Sequence, residues 1–520
     1  MRASQIRRHL GAADQQLPFT GTSHANGLYT STRLGATSTQ SGSSTQYNFE
    51  FSPRDYVAYL LSIDAEIEHC LMVQYLYAAY SLGGPQVPEE HRDRVRNWQE
   101  VILGIAKEEM GHLISVQNSL RLIGAPLHLE REDTPWDVPF YPFPFMLEPL
   151  TLDSLAKYVY AESPPGWDGG ELGAEIRRRV HAQTSTPHQV AELFDRLIPL
   201  VQDPDYLPDS TFDPTTYQCQ ADFDEWGRGY KGGNRGHSGG SPRQTPDVLV
   251  KPQTSRDDMV AALQAVAEQG EATSVAINSH FTRFLTIYTE MRGLLELQPL
   301  SAAQWQAARP AAFNAQRWEG LQPDTGPVLL TAAAARPNWA PARAVAVNPY
   351  VSLEPLPAVN GVPTTHITDP RSVLWATLHN VRYRMLLNYL THSFTLYGGL
   401  NTTGGITPRG AIINGTFGEM YNLRALSEIL MQSPVSADDP QAGYAGPPFQ
   451  MPYTLNSPIG EANKWRGHLD LLDAAEKLIQ ALLEASPTHH TYLTSMREAD
   501  QNMRALAKRI LSGSIDSALI

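Results

Sequence analysis

A helix that carries a carboxylate and an imidazole on its apolar face can be buried in only a few ways, and this chain has one. From Arg92 to Leu122 the pattern keeps Ile102, Ile105, Val116 and Leu120 on one face until Gly124-Ala125-Pro126 stops it. The i, i+3 pair Glu109 and His112 falls on that same face. Burying an ionised carboxylate without a partner costs several kcal/mol, so the pair must meet a cation, a metal or a dense hydrogen-bond network. Glu-x-x-His on a helix is a half-site of the carboxylate-bridged di-iron bundles, which add one Glu from each of two other helices and a second His. The bland alternative is a solvated helix face with an incidental Glu and His.

A preceding helix of about 30 residues, Phe51 to Tyr80, is closed by Gly83-Gly84-Pro85, and the short link predicts an antiparallel hairpin. Glu66-Ile67-Glu68-His69 lies in its middle, among almost no other charge. Glu68 shares a stripe with Leu61, Ala65, Met72 and Tyr75, whereas Glu66 and His69 share one with Ser62, Val73 and Leu76. Glu68 is favoured as the ligand because Tyr75 would stand beside it, with Glu66 and His69 as supporting groups or an alternative half-site. A third helix begins at Ser255, where the stripe Val260, Leu263, Ala267, Glu271 turns Glu271 inward and leaves Glu268 to solvent. His280 heads a further apolar stripe with Phe284, Ile287 and Met291. An unbroken helix would put Glu271 and His280 on opposite sides, so they converge only if the chain breaks near Gly270, Thr273 and Ser274. The alternative for His280 is a core histidine bonded to a neighbouring carbonyl.

These segments predict a mainly α chain with a long loop-rich insertion and additional C-terminal helices, which the family resemblance given below makes a ferritin-like four-helix bundle. Residues 1–48 read as a flexible arm, 49–400 as the metal-binding bundle with its insertion at 127–250, and 401–520 as a helical region packed on the bundle. The insertion is Pro- and Gly-rich but holds Trp167, Tyr217, Phe223, Trp226 and Tyr230, which suit a pocket wall. Arg382 and Arg384, in a later and otherwise apolar helix, are either structural ion-pair partners or substrate-carboxylate ligands. A net charge of −14 opposes nucleic-acid or anionic-membrane binding. No apolar run is long enough to cross a bilayer, and two cysteines cannot frame a disulfide scaffold, so a reducing cytoplasm is expected. Glu68, Glu109, His112, Glu271 and His280 form a hard oxygen and nitrogen set that suits iron, two ions, or manganese, rather than an iron–sulfur cluster or thiolate zinc.

In their order, Glu66-Ile-Glu68-His69 with Tyr75 and Tyr80-Ser-Leu, Glu108-Glu109-Met-Gly-His112-Leu, Gly124-Ala-Pro126, Glu268-Gln-Gly-Glu271 and Ser279-His280-Phe281 resemble the ferritin-like family of the violacein-pathway iminophenylpyruvate dimer synthase. The match covers residues 51 to 297, and more loosely 371 to 455, where Ala445-Gly-Pro-Pro-Phe-Gln-Met-Pro452 also looks alike. The resemblance implies a ferritin-like bundle with a metal site on the five residues named. The expected function is a non-haem iron oxidase or oxygenase of specialised metabolism, using O2 or peroxide on a small, amino-acid-derived aromatic substrate. Tyr75 would donate a proton or electron. The alternatives are an imine-coupling synthase and a non-catalytic iron-binding protein. A homodimer through the C-terminal helices is a further expectation.

Overall fold

The computed structural model describes residues 51–133, 141–184, 187–222, 226, 250–271, 279–296, 339–352, 363–397, 407–439, 441–451, 458–485 and 487–513. The expected N-terminal arm lies outside them. Helix α1 (Pro53–Ser81) begins where Ser52 caps it, its hydroxyl accepting from the Asp55 N–H with Pro53 in the first turn. It ends against Gly83 and Gly84, whose φ values of 85° and 114° turn the chain sharply towards α2 (Arg92–Leu122). At the far end of α2, Gly124 adopts φ 67°, the Ala125 N–H bonds to Leu120 O and the Gly124 N–H to Arg121 O, a Schellman stop. Both boundaries follow the sequence reading. The two helices pack along their length and frame the site.

Shorter helices α3 (Leu152–Ala161), α4 (Gly170–His181) and α5 (Ala191–Gln202) lie in the insertion. Then come α6 (Arg256–Glu271) and α7 (His280–Glu296). Helix α3 packs on α7, and α6 on α5, so the insertion is built into the bundle rather than hung beside it. The expected break is real in outline: the described helices stop at Glu271 and restart at His280, while Thr273 and Ser274 lie outside the described residues.

A second apolar core forms around α8 (Pro370–Ser393), α9 (Pro408–Leu430), α10 (Glu461–Ala485) and α11 (His490–Leu511), with Trp375, Trp465, Leu472 and Leu482 inside it. Helix α8 serves both cores, since its Tyr383, Leu387 and Leu390 pack with the bundle. Helix α9 is about a dozen residues longer at its start than the pattern from Tyr421 suggests. Glycines 410, 415 and 418 hide it in the sequence, yet Thr407 caps it, and Gly415 fits closely under Tyr389 and Met503. A two-residue parallel pair, β1 (Pro349–Tyr350) and β2 (Thr365–His366), is the sheet found among the described residues. No described helix is long and apolar enough to cross a membrane.

The expected aromatic wall does not gather: Trp167 packs edge-on to Phe281, Trp226 against Phe417, and Tyr217 is exposed, while Phe223 and Tyr230 lie outside the described residues. Arg382 resolves to its structural role. Fully buried, it donates to both Asp500 oxygens at 2.7 and 2.5 Å and to Glu419 at 3.0 Å, tying α8 to α9 and α11. Replacing Arg382 by Met should strand two buried carboxylates and destabilise the chain by about 3–5 kcal/mol. Urea unfolding midpoints test this, and a change within about 0.5 kcal/mol would contradict the pairing's structural weight.

Candidate metal centre

The α1–α2 hairpin sets Glu68 against Glu109 and His112: His112 Nδ1 lies 3.3 Å from Glu68 Oε2 and 3.0 Å from Glu109 Oε2. The other oxygen of Glu109 faces α7, 2.9 Å from His280 Nδ1, which is 3.7 Å from Glu162 Oε2. Two triads therefore share one carboxylate, Glu68–Glu109–His112 and Glu109–Glu162–His280, with the donor atoms of each lying within 4.8 Å of one another. All five side chains are buried, none more than 3% exposed.

Each imidazole is held from behind. His112 Nε2 lies 3.0 Å from Gln269 Oε1 on α6, and His280 Nε2 lies 3.0 Å from Glu108 Oε2, which Arg283 also grips. An oxygen acceptor on each Nε2 favours the proton there, so that a neutral ring would direct its Nδ1 lone pair at a cation held among the carboxylates. Glu109 Oε1 and His280 Nδ1 approach to 2.9 Å without hydrogen-bond angles, and both lack a hydrogen-bond partner. Asp64, one turn before Glu68 and fully buried, has neither oxygen partnered. Buried polar atoms left without a hydrogen-bond partner beside two carboxylate–imidazole triads fit a cation.

The titration behaviour has the same cause. Burial, reinforced by the nearby Glu109, pushes the Glu68 carboxyl well above its usual range. Burial would raise Glu109 too, but His280 and His112 outweigh it and hold that carboxyl well below the usual range. Burial alone would lower His112, yet Glu68 and Glu109 drive it up to about 10, and Glu109 with Glu108 lifts His280 well above normal. With protons alone to balance the carboxylates, the imidazoles take them up; a metal ion in their place would release them.

The structure thus brings together four of the five residues expected to bind metal: Glu68, Glu109, His112 and His280. The fifth, Glu271, is the last residue of α6, and its side chain lies outside the described residues. Glu66 and His69 face away, Glu66 towards Tyr141 and His128 and His69 towards Tyr383. Tyr75 is placed differently from expectation: its hydroxyl donates to Glu162 Oε1 at 2.6 Å instead of standing beside Glu68. Burial and Glu162 keep that phenol well above its usual titration range.

Glu162 is the residue sequence reasoning missed. It caps the C-terminus of α3, and the stripe Leu155, Tyr158, Val159, Glu162 repeats the inward-carboxylate pattern that exposed Glu109. Gly270, one residue before the end of the described α6, has a second role: a Cβ there would come within 3.2 Å of Glu162 Oε2, so the missing side chain clears room for the carboxylate. Glu268, as expected, is exposed.

A family model described as Ferritin-like matches residues 61–289, a span holding both triads. Dichlorochromopyrrolate synthase of Lentzea aerocolonigenes is 31% identical over 160 residues, which is 26% of this chain and 16% of that protein. The chain therefore spans about a sixth of the length of that curated relative. A crystal structure of a ferritin like protein from Caulobacter vibrioides covers 72% of this chain and 96% of its own at 15% identity and a TM-score of 0.35, a likeness too low to add to the argument. With its mainly α architecture and the family match over both triads, residues 61–289 of this chain form a ferritin-like domain.

Proposed function

We propose that the chain is a non-haem di-iron oxidoreductase of specialised metabolism, acting with O2 or peroxide on a small organic substrate. The observation that carries this reading is the sharing of Glu109 between two triads, each with its own histidine and its own second carboxylate. Glu109 would offer one oxygen to each of two ions, Glu68 and His112 would complete one position, and Glu162 and His280 the other. Iron suits this mixed oxygen and nitrogen set, with manganese the nearest substitute. Bound iron would supply the electron exchange with O2 or peroxide that no side chain of this site can provide.

The chain's own groups hold the rest in place. Glu108 and Arg283 fix the proton on His280 Nε2, and Gln269 does the same for His112, so both rings are oriented without a search. Tyr75 donates its hydroxyl proton in a hydrogen bond to Glu162 Oε1, at the edge of the centre, and its burial keeps the phenol neutral at ordinary pH. The apolar packing of Phe281, Phe284 and Tyr158 around these residues keeps bulk water from them.

A second reading has one observation in its favour: the curated relative bears the name of a synthase. In that case the same centre would assist the joining of two substrate molecules without inserting oxygen, and product mass separates the two outcomes. An aromatic amino-acid derivative is the substrate class proposed in both.

Anaerobic titration with ferrous iron should give about two ions per chain in the wild type, about one in Glu68→Ala or Glu162→Ala, and none in Glu109→Ala. Oxygen-electrode traces of the loaded wild type should then show consumption above free-iron background that Glu109→Ala lacks. One ion in the wild type would limit the site to a single triad, and none would overturn the metal reading. Separately, Glu108→Gln should weaken iron affinity by about 10–100-fold through loss of the His280 support. Unchanged affinity would show that the Glu108 contact does not orient the ligand.

A further inference from the structure

At the turn end of the α1–α2 hairpin, away from the metal centre, a cavity of about 300 Å3 opens between the hairpin, the segment around Arg343 and helix α9. Tyr80 lies twelve residues beyond Glu68 on α1, about 18 Å along the helix, and Arg96 lies thirteen residues before Glu109 on α2, about 20 Å. The two sites are separate.

Three arginines line the cavity, Arg92, Arg96 and Arg343, in a chain whose net charge is −14. Their charges are poorly answered. Arg343 is half-buried and spends Nη1 on the backbone carbonyls of Leu82 and Tyr80 at 2.7 and 3.3 Å, with no described carboxylate in ion-pair range. Arg92 reaches the Val87 carbonyl at 3.4 Å. Arg96 stands 3.9 Å from Asp93, both well exposed, a pair of negligible strength. The one carboxylate on the wall, Glu428, is already paired with Arg424 at 3.1 Å. Tyr80, 5% exposed, turns to the same cavity a hydroxyl with no hydrogen-bond partner among the described residues. Burial pulls the Arg343 guanidinium below its ordinary range, as expected for a half-buried cation without a counter-charge.

From this arrangement we propose that the cavity is a second ligand site, taking a small polyanion whose phosphate or carboxylate groups are bound by Arg92, Arg96 and Arg343 with Tyr80 as a hydrogen-bond donor. Guanidinium forks match both oxyanions bidentately, and the volume suits a metabolite-sized molecule rather than a polymer. The cavity borders both α1 and α9, so an occupant would touch the bundle and the C-terminal helices at once.

Isothermal titration calorimetry of the full chain at low salt tests the site, with inorganic pyrophosphate and citrate as separate probes. Saturable binding of one ion per chain is expected for at least one probe, weakening as sodium chloride is added. Arg92→Gln and Arg96→Gln, both at exposed positions, should each lower that affinity about tenfold or more, while Glu109→Gln retains it. The preferred probe assigns the site to phosphate or to carboxylate. Absence of saturable binding with both probes would overturn the proposal. So would affinity unchanged by the arginine substitutions, or affinity lost in Glu109→Gln and kept in the arginine variants.

Discussion

Three carboxylates meet in a buried interior, with Glu109 placing oxygens within 4.8 Å of Glu68 on one side and of Glu162 on the other, and this is the interaction on which the rest of the structure depends. Isolated ionised carboxylates would not be tolerated there. Two imidazoles supply the balance, each aimed by a partner on its far nitrogen, and the helices are spaced to let those side chains meet. The hairpin of α1 and α2 gives one half of the arrangement. The other half comes from the end of α3 and the start of α7, each tied to the frame by aromatic contacts such as Tyr75 with Tyr158 and Phe284.

Around that centre the chain separates buried charge into compartments. On the opposite side of α1, Glu66 bonds Tyr141 and lies 3.5 Å from His128, while His69 meets Tyr383, which Arg131 also contacts. In the C-terminal core, Arg382 answers Asp500 and Glu419. Each of these sets pairs acid with base or phenol, although His69 Nδ1, His128 Nε2 and Arg382 Nε keep no hydrogen-bond partner. The candidate metal centre differs in the convergence of its groups: two carboxylate–imidazole triads share Glu109, whose Oε1 lies 2.9 Å from His280 Nδ1 with neither atom hydrogen-bonded. That convergence of donor atoms suits a cation better than an ordinary buried ion pair does.

Much of this was legible in the sequence because helical periodicity converts spacing into direction. Glu109 and His112 fell on an apolar stripe, so their burial followed, whereas periodicity left Glu66 and Glu68 on two possible stripes, and the Tyr75 that favoured Glu68 bonds Glu162 instead. The caps and glycine stops set the hairpin ends to within two residues. Glu162 escaped because, although the sequence predicts a short helix from Leu152 to Glu162, the surrounding proline-rich insertion reads as a substrate-pocket wall rather than a source of ligands. Gly270 reads as part of a helix break, and its second role, the close approach of Glu162, has no signal in the local pattern. The partners on the far side of each ring, Gln269 and Glu108, depend on how helices stack, and no local pattern shows that.

The central claim is that Glu109 joins two metal positions. Crystals of the iron-loaded chain, measured on both sides of the iron absorption edge, address it directly by locating iron in anomalous difference maps. The account predicts two iron peaks about 3.5–4 Å apart on either side of the Glu109 carboxylate, one beside His112 and one beside His280. A single peak, or peaks away from Glu109, would contradict it.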